Sequence, residues 1–314
     1  MRSFPPIVID EAKCTGCGFC IAVCPSKTLA LKNNKAAVAG QECMLCAHCL
    51  AACPVEAITV SAIDENTLAF VTFQEDARWL PHGEYDTAQL VRLMRSRRSC
   101  RNYTDTPVAR ATLNDLVKIG ITAPSGTNCQ LWTFTIVPTR KEVTALGDRI
   151  AAYFKRLNKL AANRLLRMFL RLMGKRDLDN YYRRYFETTR QALKDWESYG
   201  RDHLFHGATA AIIVGSRSGA SCPMEDAILA TQNILLAAHS MGLGTCLIGF
   251  AVEAMKRDRS IKKYIGIPAD EAVYAVIALG HPAERYFRLA GRKKPLCRSF
   301  ELPSGQTDTS AVSN

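Results

Sequence analysis

Eight cysteines in two copies of one spacing constrain this chain more than any other feature. They read Cys14-x2-Cys17-x2-Cys20-x3-Cys24-Pro25 and Cys43-x2-Cys46-x2-Cys49-x3-Cys53-Pro54, offset by 29 residues. Thiolates at this interval wrap one corner of a [4Fe–4S] cubane, and the fourth cysteine of each run reaches the other cluster. On that rule Cys14, Cys17 and Cys20 share a cluster with Cys53, while Cys43, Cys46 and Cys49 share one with Cys24. Tetrahedral zinc sites normally pair two Cys-x-x-Cys hooks across a longer loop, which is not this pattern. A disulfide framework belongs to small secreted scaffolds, and nothing marks this chain as secreted.

The echo extends beyond the cysteines. Thr28-Leu29-Ala30-Leu31 maps onto Ala57-Ile58-Thr59-Val60 at the same offset, and 6–10 and 36–39 supply further strand candidates. A duplicated unit with so little apolar material needs its clusters to hold it together. The segment resembles bacterial two-cluster ferredoxins, with the full ligand pattern of both halves. Residues 1–60 carry five Lys/Arg and four Asp/Glu. Eight bound thiolates and two oxidised cores change that nominal +1 to roughly −3.

At 314 residues the chain has room for this unit and one further domain, and 48% hydrophobic content supports a sizeable core. Residues 61–314 hold 36 basic against 25 acidic side chains, which favours anionic partners. No signal peptide or transmembrane run is expected, and no nucleic-acid reader motif accompanies the charge. A soluble cytoplasmic protein is expected, from a cell low in oxygen because exposed clusters are oxygen-labile.

The expected organisation is a two-cluster domain at 1–61, a linker at 62–84, a second domain at 85–300 and a mobile tail at 301–314. Within the second domain a helix should start at Asp86 or Thr87, with another following Pro107. Strands are expected at 131–138, 208–214, 246–248 and 272–279. Pro223, with Glu225 and Asp226 behind it, should open a helix ending near Gly242. One more helix is expected around 252–264, and a largely helical insert around 139–205. The pattern is α+β, with a mixed sheet flanked by helices.

Two further elements carry chemistry. Arg97-Arg98-Ser99-Cys100-Arg101 packs three guanidiniums and a hydroxyl into five residues, which is either a solvated basic turn or a phosphate grip. Pro124-Ser125-Gly126-Thr127-Asn128-Cys129-Gln130-Leu131-Trp132 is a small-residue loop entering a strand, weak by itself. Together, with Gly242-Leu243-Gly244, the 278–282 strand end and Arg292-Lys293-Lys294, they resemble the FMN-dependent nitroreductase family from residue 86 to about 300. That resemblance implies a swapped homodimer with one flavin in each of two interface clefts. It implies that Arg97, Ser99 and Arg101 hold the FMN phosphate and ribityl chain, with Arg98 on backbone or ring edge. Pro124, Ser125, Gly126 and Asn128 would reach the same flavin from the partner subunit. Backbone groups at Leu247, Ile248 and Gly249 would face the flavin N5 edge, and Arg292 or Lys293 would close the phosphate site. Leu131 stands where the family usually has proline, and 247–250 lacks the acidic residue some members place beside N5. Cys100, Cys129, Cys222, Cys246 and Cys297 are expected as packing residues, with Cys129 and Cys246 candidates for the pocket wall.

Residues 149–176 contain nine Lys/Arg and no acid. Phe154, Leu157, Leu160, Leu165, Met168, Phe169 and Leu172 recur among them at helical spacing. The expectation is a helix that packs this stripe on the domain and leaves a solvated basic face, with direct membrane or partner recognition as the alternative. In the resembling family an insertion here commonly caps the flavin cleft.

Clusters pass single electrons, whereas FMN holds one or two, so the pair makes a wire and an accumulator. The expected function is reduction of a small electron-poor acceptor: nitroaromatic, quinone, enone or halogenated ring. A ferredoxin-type protein or NAD(P)H would supply the electrons. No nucleophilic catalytic residue is expected, and His206, Tyr153 and Tyr182 are candidates for the proton source. The rival readings are a flavin or NAD(P)-linked reductase feeding electrons outward, a non-catalytic electron-transfer subunit, and a redox sensor, for which no effector element is legible.

Overall fold

The computed structural model describes residues 6–300; the expected tail at 301–314 lies outside them. The first unit comprises β1 (Ile7–Ile9), α1 (Phe19–Ala22), β2 (Leu29–Lys32), β3 (Lys35–Val38), α2 (His48–Ala51) and β4 (Ile58–Val60). β1 pairs with β4 and β2 with β3, both antiparallel. Each one-turn helix carries the third cysteine of its run, Cys20 or Cys49. Each is entered through a left-handed residue, Gly18 at φ 78° and Ala47 at φ 57°. The duplication in sequence is therefore a duplication in backbone geometry. Ile7, Leu29, Ile58 and Val60 close a small core around Cys14, Cys20 and Cys49.

A 3-10 turn at Glu65–Leu68 leads into an irregular stretch that is fastened to the second unit. There α3 (Thr87–Ser96) is capped by Asp86, which accepts from the Ala88 and Gln89 amides at 2.8 and 3.1 Å. Next come α4 (Arg110–Gly120), β5 (Trp132–Val137), α5 (Arg140–Ala162), α6 (Arg164–Leu172), α7 (Asp177–Arg184) and α8 (Phe186–Tyr199). β6 (Ala210–Ser216), α9 (Pro223–Ser240), β7 (Gly244–Leu247), α10 (Gly249–Arg257), α11 (Arg259–Tyr264) and β8 (Ala272–Gly280) complete it. The fastening is Asp115 of α4, whose side chain is fully buried. It accepts from the Val71 and Thr72 amides at 2.9 and 2.7 Å and from the Thr72 hydroxyl at 2.7 Å.

The sheet order is β5-β6-β8-β7. The expected mixed sheet is antiparallel in all three strand pairings among the described residues. β6 and β7 do run parallel, as the α9 crossover requires, but β8 inserts between them. Among the described residues the one parallel contact is an isolated bridge from Ser99 to Thr245. β6 is buried along its whole length, so its alternation feeds two cores. Ala210, Ile212 and Val214 face α4 and α9, while Ala211 and Ile213 face α5 and α10.

Two expected helices are broken by the same device. The 252–264 helix divides at Asp258, extended at φ −121°, whose carboxylate caps the next helix by accepting from the Ser260 amide at 3.0 Å. The insert divides at Asn163, whose side chain accepts from the Leu166 amide at 3.0 Å. Side-chain capping satisfies an otherwise orphaned amide, so a mid-helix Asn or Asp can restart a helix in a new direction. The basic stretch consequently does not pack its whole apolar stripe. Phe154 is buried on α5, but Leu165, Met168, Phe169 and Leu172 on α6 are exposed.

Candidate functional site

The cysteines separate into the expected crossed quartets. Cys14, Cys17, Cys20 and Cys53 line one hollow, and Cys24, Cys43, Cys46 and Cys49 line the other. Backbone amides point at four of the sulfurs: Ala36 at Cys14 (3.4 Å), Thr28 at Cys24 (3.3 Å), Leu45 at Cys43 (3.4 Å) and Ala57 at Cys53 (3.2 Å). Amide donors favour the thiolate that an iron cluster requires. They hold Cys14 below the ordinary thiol range, led by the Ala36 and Gly16 amides. Among the described residues no three His, Cys, Asp or Glu converge on a single-ion point. The donor set and its two hollows fit a pair of [4Fe–4S] cores.

The arginine segment leaves α3 and is zipped onto the end of the sheet. The Cys100 amide donates to the Thr245 carbonyl at 2.9 Å, and the Thr104 amide to the His281 carbonyl at 2.9 Å. The approach is close enough to need glycine on the sheet side. A Cβ on Gly244 would sit 2.7 Å from Cys100 Sγ, and one on Gly280 would sit 2.7 Å from the Tyr103 ring. This zipper places Arg97 and Arg101 beside Cys246. Burial pushes the Cys246 thiol up, against the pull of Arg101 and Arg97. Burial holds the half-buried Arg97 guanidinium below its ordinary range, and repulsion from Arg292 and Arg98 adds to it. Among the described residues no carboxylate pairs with Arg97, Arg98, Arg101 or Arg292. Glu284 stands beside Arg101 and accepts from its backbone amide at 3.3 Å. The clustered Arg97, Arg98 and Arg292, which form no ion pair among the described residues, make a site for an anion. Arg98 also donates to the Ala290 carbonyl at 3.4 Å, which draws the C-terminal segment to the cluster.

Arg101 stands at the edge of a cleft of about 1250 Å³. Cys246, Leu247, Ile248 and Gly249 form its floor where β7 passes into α10, and the insert helices α5 to α7 form its wall. The Ile248 amide is tied to the Val276 carbonyl at 2.8 Å, while Gly249 opens the first turn of α10 with no intrahelical partner for its amide. Tyr153, Phe154, Tyr181, Tyr185 and Phe250 give the wall an aromatic lining. Tyr181 and Tyr185 were not legible as site residues; their only signal was the i, i+4 spacing between them. Of the proton-source candidates, His206 and Tyr153 line the cleft. Tyr182 does not: its ring lies under the Arg167 guanidinium, 3.4 Å from the centroid, and packs on Phe186. Burial holds His206 below the ordinary imidazole range, and the nearby Arg101 adds to it.

The 124–130 loop lies elsewhere in the single chain. Gly126 donates its amide to Asp226 at 2.8 Å, and Gln130 donates its amide to the Ser125 hydroxyl at 3.0 Å. Asn128 reaches the first unit, donating from Nδ2 to the Met44 carbonyl at 3.1 Å and the Leu45 carbonyl at 2.9 Å. Its Oδ1 accepts from Gln130 at 3.1 Å, so both ends of the amide are engaged. Pro124 is exposed, and Lys293 is exposed without a partner among the described residues. The structure thus brings Arg97, Arg98, Arg101, Arg292 and 246–249 together, and joins Asn128 to the ferredoxin-like unit while Gly126 is held by α9.

Residues 94–281, more than half of the chain, match the model described as the nitroreductase family. The chain belongs to the nitroreductase family. Residues 6–54 match a second model, a 4Fe-4S dicluster domain. A 4-nitrobenzoate reductase of Nocardioides is 27% identical over 203 residues, covering 60% of this chain and 78% of that one. An NADH dehydrogenase of Thermus thermophilus is 26% identical over 188 residues, covering 60% and 84%. A nitroreductase with bound FMN from Bacteroides fragilis aligns at 20% identity with a TM-score of 0.46, covering 72% of this chain and 99% of that chain. This nitroreductase-family chain therefore carries a dicluster ferredoxin unit ahead of its family domain.

Proposed function

We propose that the chain is an iron–sulfur flavoprotein oxidoreductase that passes single electrons through two [4Fe–4S] clusters to FMN. The acceptor would be a small electron-poor organic molecule: a nitroaromatic, quinone, enone or halogenated ring. The carrying observation is the cluster of Arg97, Arg98 and Arg292, free of ion pairs among the described residues, which reaches the Cys246–Gly249 cleft through Arg97 and Arg101 beside Cys246. Bound FMN would supply chemistry that takes electrons singly and gives them up singly or in pairs. The chain's own residues do the rest. Arg97, Arg101 and Arg292 neutralise a phosphate whose charge their mutual repulsion calls for. Ser99 offers a hydroxyl on the same strip, and the Gly249 amide points a donor at the cleft floor. Phe154, Tyr185 and Phe250 exclude water and stack a planar acceptor. His206 and Tyr153 are the groups able to hold a proton at the cleft wall.

The size of the cleft favours an enzyme over a relay subunit, because a relay has no use for about 1250 Å³ of aromatic-lined space. Exposed apolar side chains support a homodimer. Leu90, Val91 and Met94 on α3 and Ile228 and Leu229 on α9 face outward. A second copy would also bring its own 124–130 loop toward this cleft. The experiment is anaerobic purification with reconstituted clusters, followed by stopped-flow reduction. Reduced ferredoxin and NAD(P)H are compared as donors, then nitro, quinone and halogenated acceptors. Bound FMN, reduction by at least one donor and reoxidation by one acceptor class are expected. A chain that retains no flavin, or a flavin that no acceptor reoxidises, overturns the reading.

A further inference from the structure

The second half of the insert's apolar stripe has nothing to pack on. On α6, Leu166 and Leu170 face the cleft. The adjoining sector carries Leu165, Met168, Phe169 and Leu172, exposed to 72%, 55%, 58% and 82%, and is continued by the C-cap Met173, exposed to 55%. Their spacing places them on one continuous side of a helix. A patch of this kind on a water-soluble surface needs a partner.

Charge decides which partner. Arg164 and Arg171 follow the apolar sector on the helix surface, Lys159 precedes the helix, and Lys175 and Arg176 follow it and also line the cleft. None of the five is paired with a carboxylate among the described residues. The other basic groups nearby are already spent: Lys155 on Glu197, Arg156 on Asp258, and Arg167 on Asp179 and the Tyr182 ring. A second copy of this chain is a poor occupant, because a two-fold contact would set the same five cations against themselves. Large apolar residues flanked by snorkelling cations are what an anionic lipid surface accepts. No helix among the described residues is long and apolar enough to cross a membrane, and α6 has only nine residues. It can only lie in the interface plane.

We infer that α6 is a membrane-surface anchor that seats the insert on anionic lipid. Asn163 sets its angle, since the cap at the Leu166 amide turns α6 off the axis of α5. Arg167, clamped between Asp179 and Tyr182, ties it back to α7. The anchoring does not depend on which acceptor is reduced.

The test is vesicle flotation of the full-length, cluster-loaded protein under anaerobic conditions. Phosphatidylcholine vesicles are compared with vesicles containing equal parts phosphatidylglycerol. The protein should float with the anionic vesicles about tenfold more than with the neutral ones, and salt should reduce that binding. Leu165→Gln/Phe169→Gln/Leu172→Gln should lower it by about tenfold or more while cluster absorbance and melting temperature hold. Arg164→Glu/Arg171→Glu keeps the apolar face and should lose the preference for anionic lipid, giving an independent reading should the triple variant fold poorly. No flotation of the wild type, or flotation unchanged in both variants, overturns the inference. So does a triple variant that dissociates in sedimentation velocity while the wild type ignores lipid, since the patch is then a subunit contact.

Discussion

Asn128 Nδ2 lies 2.9 Å from the Leu45 carbonyl, joining the loop before β5 to the loop that holds Cys43 and Cys46. Met44 and Leu45 line the hollow of Cys24, Cys43, Cys46 and Cys49. The family domain is therefore hydrogen-bonded to the loop of the second quartet. Leu45 is itself left-handed at φ 56°, a conformation costing on the order of 1–2 kcal/mol outside glycine.

Asn128→Ala removes both donated bonds and should loosen this junction by about 1–2 kcal/mol. Stopped-flow reduction of the flavin through the clusters should slow, while direct reduction by a small chemical reductant should not. Equal rates for variant and wild type would show that the junction has no part in transfer.

The crossed quartets separate by mutation. Cys53→Ala should drop bound iron from about eight to about four per chain, although Cys53 follows the other run in sequence. It leaves the hollow beside Leu45 intact, so electrons delivered to that cluster by reduced ferredoxin should still reach the flavin. Cys24→Ala should remove the cluster next to Asn128 and disconnect the flavin. Iron analysis with electron paramagnetic resonance distinguishes the two.

Arg97→Met should act in opposite directions on empty and loaded protein. Without flavin it relieves repulsion from Arg292 and Arg98, raising stability by on the order of 0.5 kcal/mol. With flavin it should weaken retention by about tenfold or more, since hydrogen bonds to a phosphate are charge-assisted. Thermal melts with and without FMN read both signs.

Asp115 makes the linker's attachment acid-sensitive. Burial pushes its carboxyl up, but the Thr72 hydroxyl and the Thr72 and Val71 amides outweigh this and hold it below the usual carboxylate range. A depressed folded value means the attachment is fully present above about pH 4 and is lost as pH falls through the lower folded value. Asp115→Asn should cost about 1–3 kcal/mol at neutral pH, with the gap to wild type closing in acid. Limited proteolysis between residues 69 and 85 would report the release.

Much of the local structure was legible because its causes are local. Asp86, with its side chain over two amides, marks the start of α3, and Pro223 with Glu225 and Asp226 marks α9. The all-buried β6 was readable as an apolar run. The breaks at Asn163 and Asp258 were not, because a capping side chain inside a helical pattern looks like an ordinary polar position. Nor was the insertion of β8 between β6 and β7, which is a matter of long-range pairing.

The cysteine spacing by itself marked out the two quartets that the structure gathers around separate hollows, because a cubane fixes how far apart its thiolates can stand. The arginines of 97–101 were likewise visible as a cationic cluster. Only the tertiary structure decided that Arg292 joins them, that Asn128 faces Leu45, and that half of the basic helix turns its apolar side to the outside. Each of those depends on segments far apart in the chain being brought together, and a linear pattern carries no record of which distant surface a side chain will meet.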